Sequence, residues 1–392
     1  MIDTITTTDA LAGLCAQAHA QPYVTLDTEF LRERTYYSRL CLIQMALPPA
    51  GGAKAAGGPA ALIDPMAEGL SLEPLYALFR DPGVVKVFHA ARQDLEIFFH
   101  DAGLFPQPLF DTQVAAMVCG FGEQAGYETL VKRIAKQQID KSSRFTDWSH
   151  RPLSPAQLTY ALADVTHLRA VYEDLKAQLD ASGRAPWLVE EMGVLTDPET
   201  YITRPEDAWR RVKTRTSSAR FLAALQELAA FRESHAQTRD VPRSRVFKDD
   251  ALVELASTRP MNEGDLGKSR LLLREARKGE IAQGILDAIK RAANAKPPVP
   301  ADAGQPGLPG NPALSDLLRV LLKAKSDATG VAPRLIASAA ELDQIASGAR
   351  DVPALAGWRA EVFGQDALRL CAGEVALSAK GGQVRVVSVA AK

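Results

Sequence analysis

The segment Tyr23-Val24-Thr25-Leu26-Asp27-Thr28-Glu29-Phe30 reads as the opening strand of a sheet, and it carries two acids inside an apolar run. Side chains alternate faces along a strand, so Asp27 and Glu29, two residues apart, point to the same side. Two like charges held there are costly without a cation. On its own such a pair is common on half-exposed strands. Its meaning depends on what the rest of the chain brings to it.

A second acidic feature lies in Ser154-Pro155-Ala156-Gln157-Leu158-Thr159-Tyr160-Ala161-Leu162-Ala163-Asp164. Ser154 suits an N-cap, Pro155 the first helical position and Gln157 the third, so the spacing predicts a helix starting at residue 155. Tyr160 and Asp164, four apart, share one face of it. A further acid, Asp94, falls where the apolar run Val84-Val85-Lys86-Val87-Phe88 passes into the helical pattern around Leu95, Phe98 and Phe99. In the first turn of a helix an acid is also favoured by the helix dipole.

A D-x-E pair on a first strand, an acid on a following helix and Y-x-x-x-D on a late helix together resemble the three motifs of the DEDD 3′→5′ exonuclease superfamily. Thr159 stands where the histidine-type branch places its histidine and Tyr160 occupies the tyrosine position, so the chain resembles the tyrosine-type branch. Its wider wording is similar to bacterial ribonuclease D through Leu26 to Phe30, Thr35-Tyr36-Tyr37, Leu62-Ile63-Asp64-Pro65, His89-Ala90 with Asp94-Leu95-Glu96, Asp111-Thr112-Gln113, and Thr146-Asp147-Trp148 before Arg151-Pro152-Leu153. That likeness spans roughly residues 20 to 180. It implies an α/β, ribonuclease H-like mixed-sheet exonuclease domain at residues 1–203.

The chemistry expected of such a site follows from its donors. Hydrolysis of a phosphodiester needs a nucleophile at neutral pH and relief of charge on the attacking and leaving oxygens, which two divalent ions roughly 3.5–4 Å apart supply. Hard cations such as Mg2+ or Mn2+ take oxygen ligands. Asp27, Glu29, Asp94 and Asp164 are the expected ligands, with Asp27 bridging. The resemblance gives Tyr160 the role of orienting the attacking water; a phenol, with its ordinary pKa near 10, is a poor base at pH 7. No organic cofactor is expected.

Other residues take simpler readings. Asp111 sits at a strand-to-helix junction as an N-cap, Asp64 is a strand-ending turn residue, His89 is a hydrogen-bonded core residue and His167 a surface one. Lys141, Arg144 and Trp148 are candidates to contact nucleic acid, since cations neutralise phosphates and aromatic faces stack on bases. The four cysteines are scattered and suggest neither zinc nor a disulfide framework. With no signal-peptide pattern and no long apolar run, the chain is expected to be cytoplasmic and to avoid membranes.

Charge is divided unevenly along the 392 residues. Residues 1–203 hold 16 Lys and Arg against 25 Asp and Glu, whereas residues 204–296 hold 20 against 13. A nuclease with an acidic site needs a separate means of attracting phosphate, and a basic neighbour provides one. That region reads as helical: Phe221, Leu222, Leu225, Leu228, Ala229 and Arg232 keep amphipathic spacing, Val241 to Phe247 reads as a loop, and helices follow from Asp249. The succession resembles the HRDC domain, a small nucleic-acid-binding module, with Arg243, Arg245, Lys248, Lys268, Arg270 and Arg274 as expected phosphate contacts. A Pro/Gly-rich linker is read at 297–312 and a second, diverged HRDC-like helical domain at 313–392, nearly neutral with 10 basic against 9 acidic residues after residue 296. The whole reading is a metal-dependent 3′→5′ exoribonuclease acting on RNA, tRNA precursors with 3′ extensions foremost. A DNA exonuclease of the proofreading or Werner type is the alternative, and a catalytically silent RNA-binding protein a more distant one.

Overall fold

The computed structural model describes residues 4–50, 57–140, 143, 146–216, 218–298 and 311–389. Lys141, Arg144 and most of the linker read at 297–312 lie outside the described residues. The chain divides into two compact units, Met1–Glu29 with Cys41–Thr200 and Gly307–Lys392, and Phe30–Leu40 with Tyr201–Pro306.

In the first unit, strands β1 (Thr4–Ile5), β2 (Tyr23–Leu31), β3 (Arg39–Ala46), β4 (Ala60–Ile63), β5 (Val85–Phe88) and β6 (Leu109–Asp111) form one sheet in the order β1-β4-β3-β2-β5-β6. It is a mixed sheet: β4 is antiparallel to β3, whereas β2, β5 and β6 run parallel. The helices α1 (Thr8–His19), α2 (Glu73–Arg80) and α3 (Arg92–Ala102) supply connections between strands, as parallel strands require, and α4 (Thr112–Val118) follows β6. Leu26, Leu42, Ile43, Met45, Phe79, Phe88 and Phe98 are fully buried, and burial of each such side chain contributes about 1.5–3 kcal/mol. Phe79 and Phe98 meet edge to face with centroids 4.9 Å apart. Pairing of β2 with β5 runs from Tyr23 opposite Val85 to Thr25 opposite Val87. Asp27 and Glu29 therefore lie beyond the paired stretch, at the carboxyl end of the parallel strands, where α3 begins.

The second unit is a helical bundle. The helix Ala219–Thr238, started by Ser218, packs with Asp249–Thr258 and Gly279–Asn294 around Leu225, Leu228, Phe247, Leu252, Leu255 and Ile285. Within the stretch read as a loop, one helical turn forms at Arg243–Val246. Phe30–Leu40, which sequence position alone places in the exonuclease domain, belongs to this bundle. Tyr36 packs on its core, and its hydroxyl donates to Glu233 while accepting from Arg243 Nη2 at 2.9 Å and Gln237 Nε2 at 3.1 Å. The amides of Tyr36 and Tyr37 both donate to Asp240 Oδ1 at 3.0 Å.

The last region, which packs within the first unit, repeats the order of the bundle. A long helix Pro312–Thr329 ends at left-handed Gly330, followed by a turn Pro333–Ile336, a helix Ala339–Ala346, the single turn Pro353–Leu355 and helical segments from Gly357. The bundle runs through Ala219–Thr238, left-handed Asp240, Arg243–Val246, Asp249–Thr258, Glu275–Arg277 and Gly279 in the same sequence, with one added short helix, Glu263–Gly267, that has no counterpart in the last region. The region then closes with a two-stranded hairpin, Val375–Lys380 with Gln383–Ser388, turned at Gly381-Gly382. Among the described residues no helix is long and apolar enough to cross a membrane.

Candidate active site

The first acids arrive on β2, whose alternation sends Thr28 to the opposite side from Asp27 and Glu29. The partner acid arrives on the helix Pro155–Thr166, whose start is fixed by a complete capping box: Ser154 accepts from Gln157 N at 3.2 Å and Gln157 Oε1 accepts from Ser154 N at 3.0 Å. One carboxylate oxygen from each of Asp27, Glu29 and Asp164 lies within 4.8 Å of the other two. Asp164 is buried, while Asp27 and Glu29 are half-buried. At such separations, with an effective dielectric of about 20, each ionised pair repels by roughly 3 kcal/mol or more. Protonation, or a cation shared among the members, relieves such a group. Burial, then the charges of Asp94, Asp164 and Glu29, hold the Asp27 carboxyl well above the usual carboxylate range.

Asp94 stands beside this trio rather than within it. It is buried in the first turn of α3, and its Oδ1 accepts a short hydrogen bond from the Thr28 hydroxyl. Burial pushes its pKa up to about 7 even though that hydroxyl and its own amide favour the charged form. Thr28 thus links β2 to α3, a function that no motif reveals.

Tyr160, one turn before Asp164, shares a side-chain hydrogen bond with that carboxylate, and burial followed by the charges of Asp164, Glu29 and Asp27 raises its pKa far above 10. Trp148 is not the exposed stacking platform expected from its residue type. It is only 2% exposed, with its ring 6.1 Å from that of Tyr160, so it backs the tyrosine instead of offering a face to a base. Tyr127 was not visible as a site residue in the sequence; it lies buried near Asp164 and Asp27, donates to Ala163 O at 2.9 Å, and has its pKa raised by burial and then by those two acids.

Neighbouring residues are held in ordinary ways. Asp64 accepts Arg151 Nε at 2.6 Å and Nη2 at 2.8 Å, so this acid is neutralised internally. His89 meets Thr112 Oγ1 at 3.0 Å, and burial lowers its pKa. His167 caps the C-terminus of the Pro155–Thr166 helix. In the helical bundle, the half-buried Arg243, expected to contact phosphate, has its guanidinium gripping Glu233 through two nitrogens at 2.5 Å each. Lys268 is exposed but bonded to Asp265 at 2.8 Å. Arg245, Lys248, Arg270 and Arg274 are exposed.

Comparison with known proteins agrees with both halves of this description. The 3′-5′ exonuclease family profile matches residues 2–180, and the HRDC domain profile matches residues 221–289. The chain is 62% identical over 393 residues to ribonuclease D of Jannaschia sp. (strain CCS1), covering 99% of this chain and 100% of that one. It is 48% identical to ribonuclease D of Granulibacter bethesdensis, with 98% and 96% covered. The crystal structure of Escherichia coli RNase D, described as an exoribonuclease involved in structured RNA processing, superposes with a TM-score of 0.81 at 32% identity, covering 94% of this chain and 98% of that one. Identity sustained from end to end, through the acid-bearing sheet and the helical bundle alike, means that the chain belongs to the ribonuclease D family.

Proposed function

We propose that this 3′→5′ exoribonuclease trims the 3′ ends of structured RNA, tRNA precursors with 3′ extensions foremost, by two-metal hydrolysis that releases 5′-mononucleotides. The observation that carries the reading is the approach of Asp27, Glu29 and Asp164 oxygens to within 4.8 Å of one another. Hard carboxylate donors at that spacing suit Mg2+ or Mn2+. Asp27, Glu29 and Asp164 would hold the ions, and Asp94 would complete the set from α3. When bound, such ions provide a nucleophile at neutral pH and offset charge on the attacking and leaving oxygens.

The protein's own groups do the rest. Tyr160, kept neutral by its surroundings, orients the attacking water by hydrogen bonding and does not take its proton. Trp148 restrains the Tyr160 ring, and Thr28 holds the Asp94 carboxylate. Arg245, Lys248, Arg270 and Arg274 of the HRDC domain provide phosphate contacts that steer RNA without reading its sequence. The final region, 313–392, is a second HRDC-like domain by its order of elements. Its surface differs: Pro333, Leu335 and Ser338 stand where the first repeat has Arg243, Arg245 and Lys248.

The test compares wild type with Asp164→Ala on 5′-labelled tRNA carrying extra 3′ nucleotides and on DNA of matching sequence, with Mg2+ or chelator. The expected result is a metal-dependent ladder shortening from the RNA 3′ end, lost in the variant. Shortening of DNA alone would reassign the polymer.

A further inference from the structure

Asp111 is the N-cap of α4, where its Oδ1 accepts from Gln113 N at 2.7 Å and Val114 N at 3.4 Å. A capping aspartate needs no more than this. Yet the same carboxylate, 2% exposed, also reaches back to the start of α3: Oδ1 accepts from Ala90 N at 3.0 Å and Oδ2 from Ala91 N at 2.8 Å. The start of α3 has no side-chain cap of its own. Ala90 there has φ 58°, a left-handed conformation that a residue with a Cβ rarely adopts and that its surroundings must hold. Asp94 is the third residue of the helix that follows.

The entry angle of a helix sets where its first side chains point, so whatever fixes Ala90 and Ala91 also fixes Asp94. We propose that Asp111 is a positioning residue for Asp94. The two bonds it accepts from Ala90 and Ala91 lock the left-handed turn to the start of α4 and aim the α3 carboxylate at the acid cluster, while Thr28 holds that carboxylate from β2. The inference rests on the assignment of Asp94 to metal binding made above.

Asparagine at 111 keeps the size but turns one acceptor into a donor facing a backbone N–H. Mn2+ binding by calorimetry is compared for wild type, Asp111→Asn, Asp94→Asn and the double variant. Asp111→Asn is expected to weaken binding about 10- to 100-fold, as loss of a group orienting a ligand does. The double variant should bind no worse than Asp94→Asn alone, because both changes act on one carboxylate. Thr112→Val, which disturbs the same junction without touching the Ala90 and Ala91 amides, should stay within about twofold of wild type, separating positioning from general loosening. If Asp111→Asn fails to fold, the comparison is made in an Ala90→Gly background, where the left-handed turn carries no Cβ penalty. Weak binding by Asp94→Asn with near-normal binding by Asp111→Asn, or effects that multiply in the double variant, would overturn the proposal. Unchanged binding by Asp94→Asn would instead remove the metal assignment beneath it.

Discussion

Asp27 of the sheet and Glu233 of the helical bundle are both acids withdrawn from water, and the protein treats them in opposite ways. Burial alone would raise Glu233, but hydrogen bonds from Arg243 and Tyr36 outweigh it and bring the carboxyl below its ordinary range. Burial raises Asp27 too, and there Asp94, Asp164 and Glu29 push it further up. Asp64, paired with Arg151, follows the Glu233 pattern, and Glu191 is likewise paired, with Arg359 at 2.7 Å. An acid neutralised from within holds a fold together. An acid crowded by other acids costs the fold stability unless a cation offsets the repulsion.

The comparison breaks most visibly at Asp27. Asp27→Asn should lower the exonuclease rate roughly 10³-fold, the loss expected when several kcal/mol of metal-derived stabilisation goes. In chelator the same variant should melt at a higher temperature than wild type, because a repelling charge has gone. The difference should grow with pH. Asp94, raised to about 7 in the fold against about 3.9 when unfolded, leaves the folded state with more bound protons between those values. Stability of the ion-free protein therefore falls as pH rises through that window. Scanning calorimetry from pH 4.5 to 7.5 reads both effects.

Glu233→Ala should act with the reverse sign, costing about 1–2 kcal/mol by removing the partner of the part-exposed Arg243 and of the Tyr36 hydroxyl, as denaturant unfolding would show. Glu233→Gln should cost less. Tyr160→Phe should slow turnover about 10- to 100-fold through misplaced water while leaving the pH profile between 6 and 9 unchanged in shape, since no phenol titrates there. The smallest effect belongs to the basic surface: Arg245→Gln should raise KM for structured RNA about two- to threefold, reduce its salt dependence, and spare cleavage of a dinucleotide.

The core of the site was legible because its signals are local. The spacing of Asp27 and Glu29 is a strand period, and that of Tyr160 and Asp164 a helix period, so each pair needs only its own element to form. What stayed hidden depends on distant parts of the chain. Thr28 meets Asp94 across 66 positions, Asp111 reaches Ala91 across 20, and Tyr36 finds Glu233 across 197. Burial of Trp148 is likewise tertiary, and residue type alone suggested an exposed ring. The closing hairpin did leave a trace, since Gly381-Gly382 between two β-prone runs is a hairpin turn signal.

If the crowded acids of β2 and the Pro155–Thr166 helix serve to bind divalent cations, the ion-free protein should take them up. Titrating Mn2+ into ion-free wild type and Asp27→Asn, in buffers of different ionisation enthalpy near pH 7, tests it directly. Wild type should take up the ion with release of protons, because the raised carboxyls must ionise to bind, and uptake should be largely lost in the variant. Equal uptake by both proteins, or none by wild type, would contradict it.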